Sequence, residues 1–444
     1  MSGAIAVEGQ VDVAPTGPVV AKVGRVFNLR LPSSPGLLLV VSCGDVLISC
    51  SVPGRRRPGI DYPAPTRPAD VASAMNDDRY DVAIVGAGPA GATAGMLLAQ
   101  RGHRVALVDR SALPREAVSA GWLNSAAVGL LEALHVPAGD VLAHALGAVT
   151  FHNADFSKSA TPRFRNPPGY LIERRTFDDA LVNNAVRSGA KWIVGEAVDV
   201  RLKEASVRLE LGGERAVESR LLLLATGRES TLPARIGLVR DSGRLGMWSA
   251  QVDARPPNGA CTGESRLSVI LGMERGGFGL CCAWGRGLSV GVHLRGQQDQ
   301  VIPALVELCR LAYRHEVVPI DLSGRAASAT VLSSPAAAAL DMETHVGKHT
   351  LLIGDAGGFV SAAANEGLYP GMWSGRIAAE VLDRALGGVY SQDELMTFDS
   401  QWRVEMADYL RPPHTDIHFL LPLVFSKQPM ADRMAGAFFS GENI

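Results

Sequence analysis

The sequence predicts an α/β fold built on a parallel sheet, and three features indicate it. A buried-strand run at 80–85 leads directly into a glycine-rich turn, which opens a segment of helix-forming composition at 92–101. A second strand-like run at 105–109 ends in an acid, so that strand, helix and strand form one βαβ unit. A further buried-strand run at 350–353 precedes another glycine-rich turn and a long helix-like segment at 367–386.

The composition is that of a globular protein. The 444 residues suffice for about two to three domains, and 47% of them are hydrophobic. Lys and Arg number 43 against 45 Asp and Glu, a net charge of −2, which argues against a nucleic-acid partner. No uninterrupted apolar run reaches the ~18 residues of a membrane span, so no integral membrane segment is predicted. The 6 Cys show neither CxxC spacing nor a nearby His, so we expect reduced thiols, a cytoplasmic location and no metal site.

Residues 1–78 differ in composition from the rest of the chain. They are rich in Val, Gly, Pro, Ser and Ala, and three prolines fall within 63–68. Since proline lacks a backbone donor and restricts the residue before it, the second half of this leader is predicted to be an extended linker. The segment 37–52 is compatible with a short hairpin and equally with a disordered leader. No function is assigned to these residues.

Beyond the leader, the order of elements predicts a discontinuous nucleotide-binding domain. Strand-like and helix-like segments occupy 79–245, and the last parallel strand and the long helix follow at 345–395. Between them, 246–344 carries short apolar runs punctuated by Gly, as in an antiparallel sheet, and we expect it to be an inserted substrate domain. Residues 396–444 are dense in aromatics and predict a helical C-terminal segment.

The first glycine-rich turn, Gly86-x-Gly88-x-x-Gly91, has the spacing of a dinucleotide-binding fingerprint. Its first glycine permits a tight turn, its second lets the backbone approach a pyrophosphate at the helix N-terminus, and its third lets helix and strand pack closely. Ala90, in the same turn, is a further candidate for cofactor binding. Asp109 lies 23 residues after Gly86 and is predicted to accept hydrogen bonds from ribose hydroxyls, which favours FAD or NAD over NADP.

The second glycine-rich turn decides between these cofactors. Gly354 and Asp355 follow the strand at 350–353, and Gly367 and Leu368 open the long helix. An acid at a strand end can accept hydrogen bonds from a polyol such as the ribityl chain, and amides that open a helix can hold the electron-rich edge of a reduced flavin. Combined with the fingerprint, this turn predicts FAD.

From about residue 79 onward, the chain resembles the flavoprotein superfamily of class A aromatic hydroxylases, geranylgeranyl reductases and flavin-dependent halogenases. The matching motifs are the fingerprint, the segment 174–178 with Leu181, and Gly354-Asp355 with the helix after Gly367. The resemblance implies a Rossmann-like FAD-binding domain of the GR2 type. It also implies that Arg174 lies close to FAD, with Arg175 as the alternative.

The resemblance leaves the reaction open. A monooxygenase would use reduced flavin and O2 to hydroxylate an electron-rich aromatic group, on a small molecule or on a protein. Some relatives hydroxylate tryptophan residues of a partner protein while a quinone cofactor matures. A reductase would saturate a double bond, and 359–361 and 373–376 look closest to geranylgeranyl reductases, whereas the halogenase motif WxWxIP is not found. The aromatic-rich C-terminus favours the monooxygenase, and a noncatalytic flavin-binding protein is a third interpretation.

The absence of a second fingerprint bears on the electron donor. Only the turn at 86–91 has the GxGxxG spacing after a strand, so NADH or NADPH would bind transiently, or a partner would deliver the electrons.

Two side chains are candidates for acid–base catalysis. Glu366 stands beside the helix predicted to hold the flavin, and a helix-capping role fits it equally well. His414 shares a helix face with His418 if that helix continues through Pro412 and Pro413. Aromatic residues of the same C-terminal segment fit either a cavity wall or an ordinary core.

Overall fold

The structure, a computed structural model, describes residues 79–115, 121–136, 144–238, 247–256, 264–285, 287–296, 298–387 and 392–442. The predicted leader at 1–78, with its candidate hairpin at 37–52, lies outside the described residues. The elements follow closely the order that the sequence pattern predicts.

The strands and helices are numbered in chain order. The strands are β1 (Arg79–Val85), β2 (Val105–Asp109), β3 (Trp122–Asn124), β4 (His144–Asn153), β5 (Ser159–Ala160), β6 (Gly169–Leu171), β7 (Lys191–Val194), β8 (Ala197–Leu202), β9 (Val207–Leu211), β10 (Arg215–Leu224), β11 (Met247–Ala254), β12 (Ser265–Met273), β13 (Gly277–Trp284), β14 (Gly287–Arg295), β15 (Leu332–Ser334), β16 (Val346–Gly347) and β17 (Thr350–Leu352). The α-helices are α1 (Pro89–Gln100), α2 (Ser125–Ala133), α3 (Arg174–Arg187), α4 (Leu232–Arg235), α5 (Val301–Arg314), α6 (Ser323–Ala326), α7 (Leu368–Gly387), α8 (Gln392–Leu410), α9 (Ile417–Val424) and α10 (Gln428–Ser440).

The first sheet has a parallel centre. Its order is β16-β17-β10-β1-β2-β7, in which β1 is parallel to β2 and β10, β10 to β17, and β2 to β7. Since parallel strands run in one direction, the turns that follow β1, β2, β10 and β17 meet at one edge of the sheet. The predicted α/β fold with a Rossmann-like sheet is confirmed.

Different layers cover the two faces of this sheet. Because successive side chains of a strand point to opposite faces, alternate residues of β1 pack against different layers. Val82 and Ile84 of β1 belong to the core that contains the buried faces of α1, α3 and α7. Ala83 and Val85 belong to a second core formed with β8 and β9, which extend β10 as antiparallel strands. The sheet is therefore buried on both faces, as a parallel sheet requires.

The second sheet has nine strands among the described residues, in the order β15-β11-β14-β13-β12-β4-β6-β3 with β5 paired to β4. It is antiparallel except where β4 runs parallel to β12, with Val149 opposite Leu267. One face packs on α5 through Leu305 and its neighbours. The other face packs on α9 and α10, with Phe151 and Phe438 in the shared core.

The sequence predicted that the antiparallel sheet lies within 246–344, but the second sheet extends beyond this range. Strands β3, β4, β5 and β6, which lie between residues 122 and 171, also belong to it, so residue 245 does not divide the two sheets. The apolar pattern of β4 indicates burial but does not identify its partner. That partner, β12, lies far along the chain, and a local pattern carries no information about such a pairing.

The predicted helical C-terminal segment is confirmed, and its described residues form three helices. Helix α8 ends at Leu410 because Pro412 and Pro413 cannot continue its hydrogen bonds. Trp402 of α8 is fully buried in the core that contains the buried faces of α1, α3 and α7, whereas Phe419 of α9 is 80% exposed. Among the described helices, none combines the length and the apolar character needed to cross a bilayer.

A buried polar network joins α8 to the turn after β17. Asp399 accepts hydrogen bonds from Thr344 Oγ1 at 2.5 Å and from the backbone N–H of His345 at 3.1 Å, and its Oδ1 lies 3.2 Å from His345 Nδ1. His345 Nε2 lies 2.8 Å from the carbonyl oxygen of Gly357 in that turn. Although burial opposes ionisation, hydrogen bonds from His345 and Thr344 lower the pKa of Asp399 to about 2.

We predict that Asp399→Asn lowers the free energy of unfolding by about 2 kcal/mol at neutral pH, because a carboxylate that accepts several hydrogen bonds becomes a neutral amide. This contribution should be complete above the ordinary Asp pKa of 3.8 and should decline as the pH falls toward 2. Urea unfolding of both proteins at a series of pH values measures it. The control is Asp408→Asn, an exposed side chain of the same helix that pairs with Arg411 at 2.8 Å. Equal losses in both variants would contradict the prediction.

Candidate active site

The turn after β1 brings backbone close to backbone. Gly86 has φ +100°, and a Cβ there would lie 2.1 Å from the carbonyl oxygen of Ala225, which follows β10. A Cβ at Gly91 would lie 1.9 Å from the carbonyl oxygen of Gly86. Both positions therefore require glycine for the fold itself, before any ligand is considered.

Gly88 differs from these two glycines. Its φ is −70°, and a Cβ there would approach only the Arg115 guanidinium, at 3.7 Å. The space above Gly88 is open, and it faces the first turn of α1, whose backbone N–H groups have no intrahelical partner. The protein alone does not require glycine here, whereas a pyrophosphate that approaches the helix N-terminus does.

The end of β2 places a carboxylate beside this open space. Asp109 is 6% exposed and accepts hydrogen bonds from the backbone N–H groups of Ala87 at 2.9 Å and Ser111 at 3.0 Å. Arg115 donates to the same carboxylate from Nη1 at 2.6 Å. The predicted ribose acceptor is therefore held in place by three donors, and a cation stands next to it. No motif in the sequence identifies Arg115.

Arg174, the first residue of α3, faces the same space. Its Nε and Nη2 atoms each donate to the Asp178 carboxylate at 3.0 Å, a bidentate pair one helical turn apart. Burial opposes its charge, but Asp178 and, at longer range, Asp355 raise the pKa of Arg174. Arg175, the alternative, is exposed and does not line the cavity. The arginine expected near the cofactor is therefore Arg174.

The turn after β17 places an acid next to the start of α7. Gly354 has φ +61°, and a Cβ there would lie 3.0 Å from the Cβ of Ala90, so the two glycine-rich turns pack on each other. A Cβ at Gly367 would lie 3.0 Å from Asp355 Oδ1. The Asp355 carboxylate therefore lies against the backbone that precedes Leu368, the first residue of α7.

Glu366 is 4% exposed and caps α7. Its Oε1 accepts from the backbone N–H of Tyr369 at 2.7 Å, and its Oε2 accepts from the Tyr409 hydroxyl at 2.9 Å. Burial raises the pKa of Glu366 to about 7, although these hydrogen bonds act in the opposite direction. The capping role is therefore present in the structure, and the same carboxyl group lies on the cavity wall.

One cavity of about 730 Å³ joins these features. Of the predicted residues, its wall includes Gly86, Gly88, Ala90, Asp109, Arg174, Gly354, Asp355, Glu366, Gly367 and Leu368. Gly91 stands behind the wall, where it allows α1 to approach β1. Residues separated by some 280 positions in the sequence are thus brought to a single site at the carboxyl edge of the first sheet.

His414 is not part of this site. It is exposed in the segment between α8 and α9, and it does not line the cavity. The helix that would have aligned it with His418 ends at Leu410, because of Pro412 and Pro413. The prediction that His414 is a catalytic residue is therefore wrong for this cavity. Within the described ranges, no three His, Cys, Asp or Glu side chains are grouped as a metal site would need.

The second sheet closes the other side of the cavity. Leu288, Val290 and Val292 of β14 point into the core shared with α5, so the alternate residue His293 points to the opposite face and lines the cavity. Asn365, just before Glu366, donates from Nδ2 to His293 Nδ1 at 2.7 Å. No motif in the sequence identifies His293, although the alternation of apolar residues with polar residues and glycine along β14 was a usable signal.

The geometry suits FAD. The open backbone at Gly88 and the neighbouring Arg115 fit a pyrophosphate, Asp109 fits the hydroxyls of a ribose, and Asp355 beside the start of α7 fits a polyol next to an electron-rich ring edge. Together with the parallel sheet, these residues define a flavoprotein of the FAD-dependent oxidoreductases.

The chain belongs to the FAD-binding domain family, whose model matches residues 79–407. A digeranylgeranylglycerophospholipid reductase from Methanocaldococcus jannaschii is 24% identical over 355 residues, which cover 75% of this chain and 85% of that protein. The structure of a geranylgeranyl bacteriochlorophyll reductase-like protein from Thermoplasma acidophilum superimposes with a TM-score of 0.61 at 18% identity, over 83% of this chain and 93% of that one. The structure of the flavin-dependent brominase Bmp2 superimposes with a TM-score of 0.58 at 17% identity, over 82% of this chain and 94% of that one. The structural likenesses establish the fold alone, and the predicted superfamily is confirmed.

We predict that Gly88→Val yields a folded protein whose affinity for FAD is lower by about 100-fold or more, because the side chain fills space that the protein leaves open. The amount of flavin released on denaturation measures FAD retention, and the circular dichroism of the FAD-free protein shows whether the variant is folded. The matched control is Gly129→Val in α2, where a Cβ meets nothing within 4 Å, and it should retain FAD. Gly91→Val should instead fail to fold. Full FAD retention by Gly88→Val would show that this turn is only structural.

We predict that Glu366 makes the FAD-free protein less stable as the pH rises from 5 to 8. The native carboxyl group, with a pKa of about 7, keeps a proton that the unfolded chain, with the ordinary value of 4.5, has released. Glu366→Gln should remove this decline, so its stability relative to the wild type should rise by about 2 kcal/mol across the range. Urea unfolding at a series of pH values measures the free energy of unfolding of both proteins, with the exposed Glu132→Gln as control. Parallel pH profiles for wild type and Glu366→Gln would refute the prediction.

Proposed function

We propose that the protein is an FAD-dependent monooxygenase that hydroxylates an electron-rich aromatic group, with O2 as oxidant and NADH or NADPH as transient electron donor. The observation that carries this proposal is the mixed lining of the cavity. Apolar Trp122, Leu280, Val360 and Ala364 line it together with polar Ser249, Gln251, His293 and Asn365. Such a wall suits a flat ring with polar substituents better than a purely aliphatic chain.

The residues of the site have distinct tasks in this reaction. The amides at the start of α1, with Arg115 and Arg174, would hold the pyrophosphate, and Asp109 would hold the ribose. The amides at the start of α7 would favour negative charge at the electron-rich edge of the ring system. When bound, FAD supplies the electron-transfer and O2 chemistry. The aromatic and aliphatic side chains of the second sheet exclude water from the place where substrate and cofactor meet.

Glu366 provides a proton store at the start of α7. With a pKa of about 7, the carboxyl group exchanges its proton near neutral pH, and Tyr409 and the backbone of Tyr369 fix its position. Tyr409 in turn accepts a hydrogen bond from Asn124 Nδ2 at 2.8 Å, so the network continues into the buried interior. Glu366 is the carboxylate that we assign to proton transfer in this site.

We predict that the FAD-loaded protein, reduced by NADH or NADPH and mixed with ¹⁸O2 and its aromatic substrate, places one ¹⁸O atom in the product and the other in water. O2 uptake and mass spectrometry of the product measure the outcome. For a protein-bound substrate, such as a tryptophan side chain of a partner during quinone-cofactor maturation, the label is read in peptides of the partner. The matched control is Gly88→Val, which should incorporate no label. Unlabelled product would overturn the proposal.

A reductase is the second candidate, because the Methanocaldococcus jannaschii relative that aligns over most of this chain bears that name. In this case the bound flavin would deliver a hydride to a double bond, and O2 would not be consumed. Product formation under anaerobic conditions, with loss of one double bond and no oxygen label, would favour the reductase. The mixed wall of the cavity is the feature that argues against an isoprenoid substrate.

A further inference from the structure

Helix α9 carries apolar side chains on both of its sides. Leu421 and Val424 pack into the core that α9 shares with the second sheet. On the opposite side, Phe419 is 80% exposed, and Leu423, one turn further along, is 42% exposed. Of the eight residues of this helix, only His418 is polar. A helix that is apolar all round normally meets apolar material on every side, but within the described part of the chain the outer side of α9 is open to solvent.

The loop between β5 and β6 adds another apolar side chain, Phe164, which is 36% exposed. Two hydrogen bonds hold this loop against α10. Gln428 Nε2 donates to the carbonyl oxygen of Thr161 at 3.0 Å, and the backbone N–H of Arg163 donates to Asp432 Oδ1 at 2.8 Å. The loop therefore has a fixed place on the C-terminal helices, although it lies far from them in sequence.

The loop and the outer side of α9 are joined through the residues that connect α9 to α10. The backbone N–H of Lys427 donates to the carbonyl oxygen of Leu423 at 2.8 Å, and the next residue, Gln428, holds the loop. Exposed cations accompany the apolar side chains of both parts. We call this region the apolar–basic surface, and it consists of Phe164, Phe419 and Leu423 with the cations Arg163, Arg165 and Lys427.

The charge of this surface has a different sign from that of the whole chain. Residues 161–167 and 416–433 contain the cations Arg163, Arg165, Lys427 and Arg433 and the acids Asp416 and Asp432. Both acids already accept backbone N–H groups, Asp416 from His418 and Asp432 from the loop. The local balance is therefore positive, whereas the net charge of the chain is −2.

We propose that the apolar–basic surface binds the surface of an anionic lipid bilayer. Phe419, Leu423 and Phe164 would enter the acyl region, and the long Arg and Lys side chains beside them would reach the headgroup phosphates. A bilayer offers both layers without a matched shape. A protein partner would instead need an apolar groove and acids arranged to fit two elements that come from distant parts of the chain.

This surface adjoins the substrate half of the cavity. The ring of Phe164 contacts that of Phe439 edge-on, with centroids 5.7 Å apart, and Phe439 contacts Trp122 at 5.3 Å. Trp122 lines the cavity. A bilayer bound here would therefore lie on the side of the molecule where the second sheet closes the site. The inference concerns the location of the protein and does not depend on the reaction proposed above.

The test measures binding of the full-length, FAD-loaded protein to sedimented vesicles. We expect it to bind vesicles of phosphatidylcholine with about 30% phosphatidylglycerol about tenfold or more tightly than vesicles of phosphatidylcholine alone, and less tightly as salt is added. The double variant Phe419→Ser, Leu423→Ser should bind about tenfold or more weakly. The double variant Arg163→Gln, Lys427→Gln should lose most of the preference for anionic vesicles.

Matched controls lie on α5, which packs on the other face of the second sheet. Tyr313→Ser removes an aromatic side chain that is 50% exposed, and Arg310→Gln with Arg314→Gln removes two positive charges. These variants should bind vesicles like the wild type. FAD content and circular dichroism establish that every variant is folded and loaded before binding is compared.

Four results would each overturn the proposal. They are failure to bind anionic vesicles, equal binding to both kinds of vesicle, equal losses in the α5 variants, and a lipid-free dimer that dissociates in Phe419→Ser, Leu423→Ser. Sedimentation velocity detects the dimer, which would assign this surface to a second copy of the chain. Because vesicle binding requires neither substrate nor turnover, its outcome is distinguishable from that of the ¹⁸O experiment.

Discussion

The close approach of the turns after β1 and β10 determines where this protein binds its cofactor. With Gly86 against the carbonyl oxygen of Ala225, the backbone that follows β1 lies low at the edge of the sheet, and α1 begins directly beneath an open space. The turn after β17 then packs on Ala90 and completes the edge. A side chain at either contact would lift one turn off the other and close the space that FAD requires.

The half of the site that binds FAD could be predicted from the sequence, because its residues are constrained locally. Glycines at fixed spacing after a strand and an acid at the next strand end have few structural explanations, and Gly88, Asp109 and Asp355 all line the cavity as expected. Glu366 lines the same cavity, and its place in the sequence, just before a recognisable helix, made it a candidate. Arg115 belongs to no motif, because a cation near a phosphate can come from many positions in the chain.

The substrate half was much less predictable. His293 becomes meaningful only when β14 is placed beside β11 and both are placed opposite Asn365, and these contacts join residues far apart in sequence. The prediction for His414 depended on the end of a helix. Its apparent alignment with His418 assumed an unbroken helix, and two prolines between α8 and α9 prevent one. Long-range pairing and the exact ends of helices were the two kinds of information that the sequence pattern lacked.

The alternation of the chain between its two sheets also has a consequence for how the protein folds. Strands β1 and β2 enter the first sheet, β3 to β6 the second, β7 to β10 the first, β11 to β15 the second, and β16 and β17 return to the first. Among the described strands, those of neither sheet follow one another without strands of the other sheet between them. Each core therefore has to close long loops before its contacts stabilise it, and such chains fold slowly. During that time the unpaired strand edges are open to other chains, so folding competes with aggregation.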